Sequence, residues 1–522
     1  MLAFPSNYSI GITSLGYQVI WATLAQRNDV DVKRLFTDLR ERAHRKCDLF
    51  GLSLSWELDG PILLDLLEKE GIPIWSNQRK EEDPIVFGGG PVLTANPEPM
   101  APFFDVILMG DGEELLPRFI DNLNATKNKT RLERLHSLTA IPGIYVPKFY
   151  EPEYDKSGTL LRISPIDPKI PEKVVKQTFL GNVLSHSTVI TPDAAWPNIH
   201  MVEVVRSCPE MCRFCMASYL TLPFRTSSLN QGLIPAVEKG LKITNRIGLL
   251  GASVTQHPQF NELMEWLNQD KFDETRISVS SVRAGTITPD LSKILAKRGT
   301  KSITMAIESG SQKIRNIVNK KLNEDEIFNA AKNTYLGGLK GLKLYGMVGL
   351  PLENEEDIEK TADLLIRLKK QTSQLRFTLG VSTFVPKAHT PFQWYGIHKN
   401  ADKRLKRLSK VLRPQGIEVR PESYKWSLIQ ALLSRGDRRL APVIYAIRGS
   451  HNRLGEWKKA FNAAFNQELN KHFYPVNEPP PPPAWDEIIH DQWDTSKVLP
   501  WNHLEGPINK AKLIEHHLLL KT

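Results

Sequence analysis

The sequence predicts an α/β protein: an N-terminal doubly wound parallel sheet, then a partial (β/α)6 barrel, then a mainly helical C-terminal region. Three observations carry that prediction. Short apolar runs alternate with helical patterns through residues 1–125, the alternation resumes at Met201 for six further units, and beyond residue 420 only helical spacing remains. Strand–helix alternation makes a parallel sheet, because each crossover needs a helix and each helix must cover a sheet face.

In the first region, residues 1–125, the run LAFP at Leu2–Pro5 is strand-like and Leu15–Leu24 has helical spacing. Val30–Phe36 and Leu49–Leu54 read as strands and Ile62–Leu67 as a helix. Ile85–Phe87 runs into Gly88-Gly89-Gly90, and Val106–Leu108 into Gly110-Asp111-Gly112. Glycines just after strands fit a ligand crevice at the carboxyl ends of those strands. Residues 126–199, rich in Pro, Thr, Ser and charge, read as a connecting segment with short strands.

Residues 200–420 hold six strand candidates: Val202–Val205, Arg246–Leu250, Ile277–Val282, Ser302–Ile307, Leu342–Val348 and Phe377–Phe384. Their spacing is that of βα units, so they form an incomplete version of the eight-unit barrel, open on one side. Residues 421–522 carry helical patterns at Trp426–Leu433, Pro442–Arg448 and Trp457–Leu469. Five prolines follow, Pro479–Pro483, which must be extended. Trp485, Trp493 and Trp501 are expected to tack the tail onto the body.

Composition narrows the function. At 522 residues, two or three domains are expected. No secretory signal is apparent and no window of about 18 apolar residues occurs, so a cytoplasmic enzyme without a membrane partner is expected. The net charge of +10 suits a polyanionic partner such as RNA, but it is spread along the chain. The densest basic run, Lys403-Arg404-Leu405-Lys406-Arg407, reads as a solvated helix face.

Of the four cysteines, three lie in the run Arg206-Ser207-Cys208-Pro209-Glu210-Met211-Cys212-Arg213-Phe214-Cys215, directly after the first barrel strand. Neighbours that close make a poor disulfide framework and a good metal or cluster site. Cys47 reads as a small buried hydrophobe. Gaps of three and two residues let one loop wrap three irons of a cubane and leave the fourth open to a ligand. The same thiolates with His200 would also satisfy a Cys3His zinc site, although zinc ligands usually come as two separated pairs.

This motif, with Phe214 between the last two cysteines, resembles the radical S-adenosylmethionine superfamily. The resemblance implies a [4Fe-4S] cluster on Cys208, Cys212 and Cys215, with S-adenosylmethionine (SAM) on the open iron. It also implies a low-potential electron donor such as a ferredoxin or flavodoxin, and a substrate left unspecified. Family members commonly carry a Gly-Gly-Glu-like turn after the second strand, which binds the methionine amino group. Here the turn is Gly251-Ala252-Ser253, so only the first glycine matches and the Glu role is not carried over. The resemblance further makes Arg283 a partner for the methionine carboxylate, Glu308 and Ser309 ribose contacts, and Gly346 and Gly349 the adenine side. Val385 falls in a sixth-strand segment, Thr383 to Trp394, similar to that of radical enzymes with an N-terminal cobalamin-binding-like domain. Ser434-Arg435-Gly436-Asp437-Arg438-Arg439 and Leu499-Pro500-Trp501 are similar to the C-terminal region of an uncharacterised branch of that group.

In such domains the first loop often bears a His that ligates cobalt from below; here Tyr8 stands at that position. Ser53, Gly88 and Gly89 map to the other corrinoid-contact elements, so the domain resembles a cobalamin site without its lower ligand. The expected activity is reductive cleavage of SAM to a 5′-deoxyadenosyl radical, with methyl transfer if a corrinoid binds. Two alternatives stand beside it. RNA methylation or methylthiolation would use the positive charge, but methylthiolating relatives need a second cysteine trio, and the first domain holds only Cys47. The other is a non-enzymatic binding protein stabilised by zinc or a cluster.

Overall fold

The computed structural model describes residues 1–450, 452–464 and 483–519. The end of the Trp457–Leu469 pattern beyond residue 464, and Pro479–Pro482, lie outside the described residues.

The first sheet contains β1 (Leu2–Ala3), β2 (Arg34–Leu35), β3 (Leu49–Ser53), β4 (Ile85–Gly89), β5 (Val106–Leu108) and β6 (Ile144–Tyr145). Its order is β2-β1-β3-β4-β5-β6, parallel except for β6, which runs antiparallel along the β5 edge. The strand order reverses between β1 and β3, and a doubly wound sheet opens its ligand crevice at such a switch point. The Val30–Phe36 run shortens to the two strand residues Arg34–Leu35, which pair with β1 at the sheet edge, and Asp31 falls within the part of the run that stays outside the strand.

The connecting segment holds an antiparallel hairpin, β7 (Tyr150–Tyr154) and β8 (Leu160–Pro165), and the short β9 (Val174–Val175). Strand β10 (His200–Glu203) opens the second body. Antiparallel β11 (Val205–Arg206) and β12 (Arg225–Thr226) then pin together the two ends of the cysteine loop. Parallel strands β13 (Arg246–Leu250) and β14 (Arg276–Val279) follow β10 in one sheet. β15 (Ser302–Glu308), β16 (Gly341–Val348), β17 (Arg376–Thr383) and β18 (Glu418–Pro421) form the next, also parallel. A parallel bridge between Val282 and Met305 joins the two into one open barrel wall. The six expected strands are present, and β18 adds a short seventh at the edge.

Two large apolar cores result. One fills the barrel between its strands and outer helices. The other joins the first sheet to the C-terminal helices Tyr424–Arg435 and Ala441–Ile447 and to the tail. β19 (Leu504–Glu505) pairs with β9. Trp501 and Trp493 are buried, and Trp485 stacks edge-on against Phe461, so the tail is tied down as expected. No helix among the described residues is long and apolar enough to cross a membrane.

Candidate active site: a cysteine loop facing a charged cavity

The cysteine loop leaves β11 at the carboxyl end of the barrel, where a βα barrel collects its active-site loops. Cys208, Cys212 and Cys215 all line one cavity of about 220 Å³, together with Glu210, Phe214, Ser253, Arg283, Glu308 and Lys320. The loop is braced from several sides. The Cys208 amide donates to the Ala217 carbonyl at 3.0 Å, and that of Cys215 to Cys212 at 2.9 Å. Across the barrel, the Arg213 amide donates to Val318 at 3.0 Å. The Arg213 guanidinium donates to the carbonyls of Asn316 and Ile317 at 3.1 and 2.6 Å. Asn319 Nδ2 returns the contact, donating to the Met211 carbonyl at 2.8 Å. Phe214 packs on a small core of Ile314, Val318, Leu350, Phe384 and Phe392.

Backbone strain is concentrated here. Ser207, Met211, Glu308, Asn319 and Lys321 all have φ between 48° and 72°, a region that costs a non-glycine residue about 1 kcal/mol or more. Such strain persists only where surrounding contacts over-determine the geometry, and the braces just described do so.

The charges form two pairs on the cavity wall. Arg283 pairs with Glu210, and Lys320 with Glu308 at 2.8 Å. Gln256 donates to Glu210 and accepts from the Ser253 hydroxyl. Burial alone would lower the Lys320 ammonium, but Glu308 and the nearby cysteines outweigh it, so it remains a cation. Burial pushes the Cys212 thiol up to about 12 and raises Cys215 as well. Thiolates at these positions therefore require compensating positive charge. Glu210 and Lys320 were not singled out from the sequence. Lys320 lies more than a hundred residues from the cysteines, and only the 316–321 turn folding back over the loop brings it there.

The other expected positions divide. Ser253, Arg283 and Glu308 share the cysteine cavity. Gly251 turns beside it with φ 155°, and a Cβ there would meet the Val205 carbonyl at 2.7 Å, so only glycine fits. Gly346 is the register partner of Glu308 at an irregularity of the β15–β16 pair. Gly349 donates its amide to Glu353 at 2.5 Å, and Ser309 is buried beside the Thr361 hydroxyl at 3.3 Å. Val385 is half-buried against the first core. None of Ser309, Gly346, Gly349 or Val385 lines the cysteine cavity.

A second cavity, about 480 Å³ and mostly apolar, lies between the first sheet and the barrel. Ser53, Gly89, Gly90 and Gly110 line it from the sheet's carboxyl ends; Arg206, Ser207, Gly251 and Ala252 line it from the barrel. Gly88 and Tyr8 do not. Gly88 faces Phe104 and Leu93, and the Tyr8 ring packs edge-on against Phe36 at 5.1 Å. Among the described residues, no histidine lines this crevice. The crevice has the switch-point position and apolar walls that a corrinoid site would use, without an imidazole among the described residues that line it.

The structure does not bring the suggested fourth zinc ligand to the cysteines. His200, its fourth ligand, sits at the start of β10, its ring 5.4 Å from that of His186, and does not line the cysteine cavity. Among the described residues, no group of three or more His, Cys, Asp or Glu side chains is placed to hold a single metal ion. Three thiols arranged around a cavity rather than a point suit a cubane, whose ligands attach to separate irons.

The comparisons with known proteins agree. Residues 16–147 match the family "Radical SAM proteins, N-terminal" and residues 202–365 match the "Radical SAM superfamily". The chain belongs to the radical SAM superfamily and is an enzyme of it. An uncharacterised protein of Methanocaldococcus jannaschii is 28% identical over 446 residues, covering 85% of this chain and 90% of that one. The radical SAM methyltransferase TsrM of Kitasatospora setae, solved with tryptophan and a SAM analogue, has a similar fold. Its TM-score is 0.50 at 11% identity, over 75% of this chain and 74% of that one. The cobalamin-dependent SAM radical enzyme OxsB aligns with a TM-score of 0.46 at 16% identity, over 72% of this chain and 52% of that one.

Proposed function

We propose that Cys208, Cys212 and Cys215 hold a [4Fe-4S] cluster whose open iron takes SAM, with Ser253, Arg283 and Glu308 lining the ligand's berth. The observation that carries this reading is the convergence of the three cysteines and two ion pairs on one cavity at the barrel mouth. When bound, the cluster and SAM supply one-electron cleavage of a carbon–sulfur bond to give a 5′-deoxyadenosyl radical. The chain's own contribution is placement. The braced loop fixes the thiolates, the ion pairs orient a charged ligand, and the apolar walls keep water away.

The finer reaction follows from the crevice. The two cavities share Ala252, so a group bound in the crevice faces the cysteine cavity across one turn. A corrinoid in the crevice would make methyl transfer the outcome, which is also the reaction named for TsrM. A ferredoxin or flavodoxin would deliver the electron, and a reducing cytoplasm suits three clustered free thiols.

The test is anaerobic reconstitution with iron, sulfide, dithionite and SAM. Production of 5′-deoxyadenosine, or of methylated product with hydroxocobalamin retained through gel filtration, is expected. A protein that takes up zinc, shows no cluster signal in electron paramagnetic resonance and leaves SAM intact refutes the reading.

A further inference from the structure

The geometry points to Glu210 as the carboxylate that receives the amino group of SAM, so that the cysteine loop itself supplies the acid missing from the Gly251-Ala252-Ser253 turn. This deepens the proposed function and rests on it.

The cavity is a balanced charge frame, with two carboxylates, Glu210 and Glu308, and two cations, Arg283 and Lys320. Such a frame complements a zwitterion, in which an amino group and a carboxylate sit two bonds apart on one carbon. Position decides which acid meets which group. Glu210 lies between Cys208 and Cys212 on the loop and lines the same cavity as the three cysteines. Glu308 ends β15 and is tied to Lys320 at 2.8 Å. An amino-acid end placed beside the cysteine loop would meet Glu210 and Arg283, which share an ion pair there, leaving Glu308 and Lys320 to the rest of the ligand.

Glu210 is also pre-oriented. Gln256 donates to its Oε1, the Ser253 hydroxyl donates to Gln256 Oε1, and Arg283 holds Oε2. Ser253, standing at the acid's place in the turn, thus acts through Gln256 on a carboxylate that arrives from another element. With SAM bound, Glu210 would accept from the amino group and Arg283 would donate to the α-carboxylate, each leaving its present partner for one group of the ligand.

The test compares Glu210→Gln with the unaltered reconstituted protein. Iron and sulfide content and the paramagnetic resonance spectrum report the cluster. Equilibrium dialysis reports binding of SAM and of 5′-methylthioadenosine, which keeps the adenosine end and lacks the amino acid. Loss of a hydrogen bond to a charged partner predicts that SAM binding weakens about tenfold or more, with 5′-methylthioadenosine binding unchanged and the cluster intact. Gln256→Leu, which releases Glu210 without touching the loop, should show the same selectivity to a smaller degree. Equal loss of both ligands, or no loss of SAM, overturns the assignment of Glu210. Failure of the unaltered clustered protein to bind SAM at all overturns the proposed function instead.

Discussion

Arg206, two residues before Cys208, reaches out of the barrel to Glu113, in the first turn of the helix Gly112–Ala125 of the first domain, at 2.7 Å, and holds Glu203 at 2.7 Å with the same guanidinium. Asp111 lies 3.6 Å away and is held at 2.6 Å by Arg225. Burial alone would raise the Asp111 carboxyl, but Arg206 and its neighbours outweigh it and hold it below the usual range. The cysteine loop is thus clamped to the first domain at its root.

Replacing Arg206 by Met removes that clamp while keeping the apolar stem, and leaves three carboxylates short of positive charge. Stability is expected to fall by about 3 kcal/mol, as for breaking a sheltered ion pair. The denaturant midpoint reports this, and gel-filtration retention of hydroxocobalamin tests whether the crevice is lost with it.

Single substitutions of Cys208, Cys212 or Cys215 by Ala should each abolish the four-iron signal after reconstitution, while Cys47→Ala retains it. Arg213→Ala should act on the same signal more gently. It removes two hydrogen bonds that cap the Asn316 and Ile317 carbonyls, so iron is retained less well under a chelator, with the far-ultraviolet spectrum unchanged.

Arg438 and Glu98 form a buried pair at 2.7 Å, and Glu98 also accepts from Tyr145 at 2.6 Å. Burial would raise Glu98, yet Arg438 holds it below the ordinary carboxylate range. Arg438→Ala strands a fully buried carboxylate, and a loss of about 3–5 kcal/mol is expected in chemical denaturation. Arg438→Ala combined with Glu98→Leu should recover much of it, because an apolar pair leaves no orphaned charge.

Burial holds His200, His389 and His503 at about 4, well below their usual 6.5. The folded protein therefore binds fewer protons than the unfolded chain between those values, and stability falls as pH drops from 6.5 toward 4. Above 6.5 these groups contribute no pH dependence. Denaturation midpoints across pH 4–8 should show this slope, and His503→Gln should reduce it.

Much of the scaffold was legible because each strand carries its own apolar run. Arg246–Leu250 and Val106–Leu108 have the expected bounds, and the other barrel strands shift by a residue or a few. β18 escaped notice because Glu418–Pro421 buries only Val419 and ends on a proline, the pattern of an edge rather than a core strand. The cysteine loop was legible because its chemistry is local in sequence. Glu210 and Lys320 were not, since their significance arises only when the 316–321 turn and the end of β14 close over the loop. Likewise Tyr8 matched a loop position by spacing, while its ring found Phe36 instead.

The basic run is a solvated helix face only in part: Lys403, Lys406 and Arg407 are exposed, whereas Arg404 is buried. Arg404 pairs with Glu353 and Glu355, Lys406 with Asp402, and Arg407 with Glu359. These cations are engaged within the protein.

The tail has a consequence for how the molecule comes into being. Trp501, Leu504 and Leu513 belong to the same core as β1, β3 and β4, so the core of the first sheet cannot finish packing until this distant downstream segment has been made. Folding here is circular rather than sequential. Until then part of the first domain's apolar surface stays uncovered, in need of shelter that the folded protein later provides for itself.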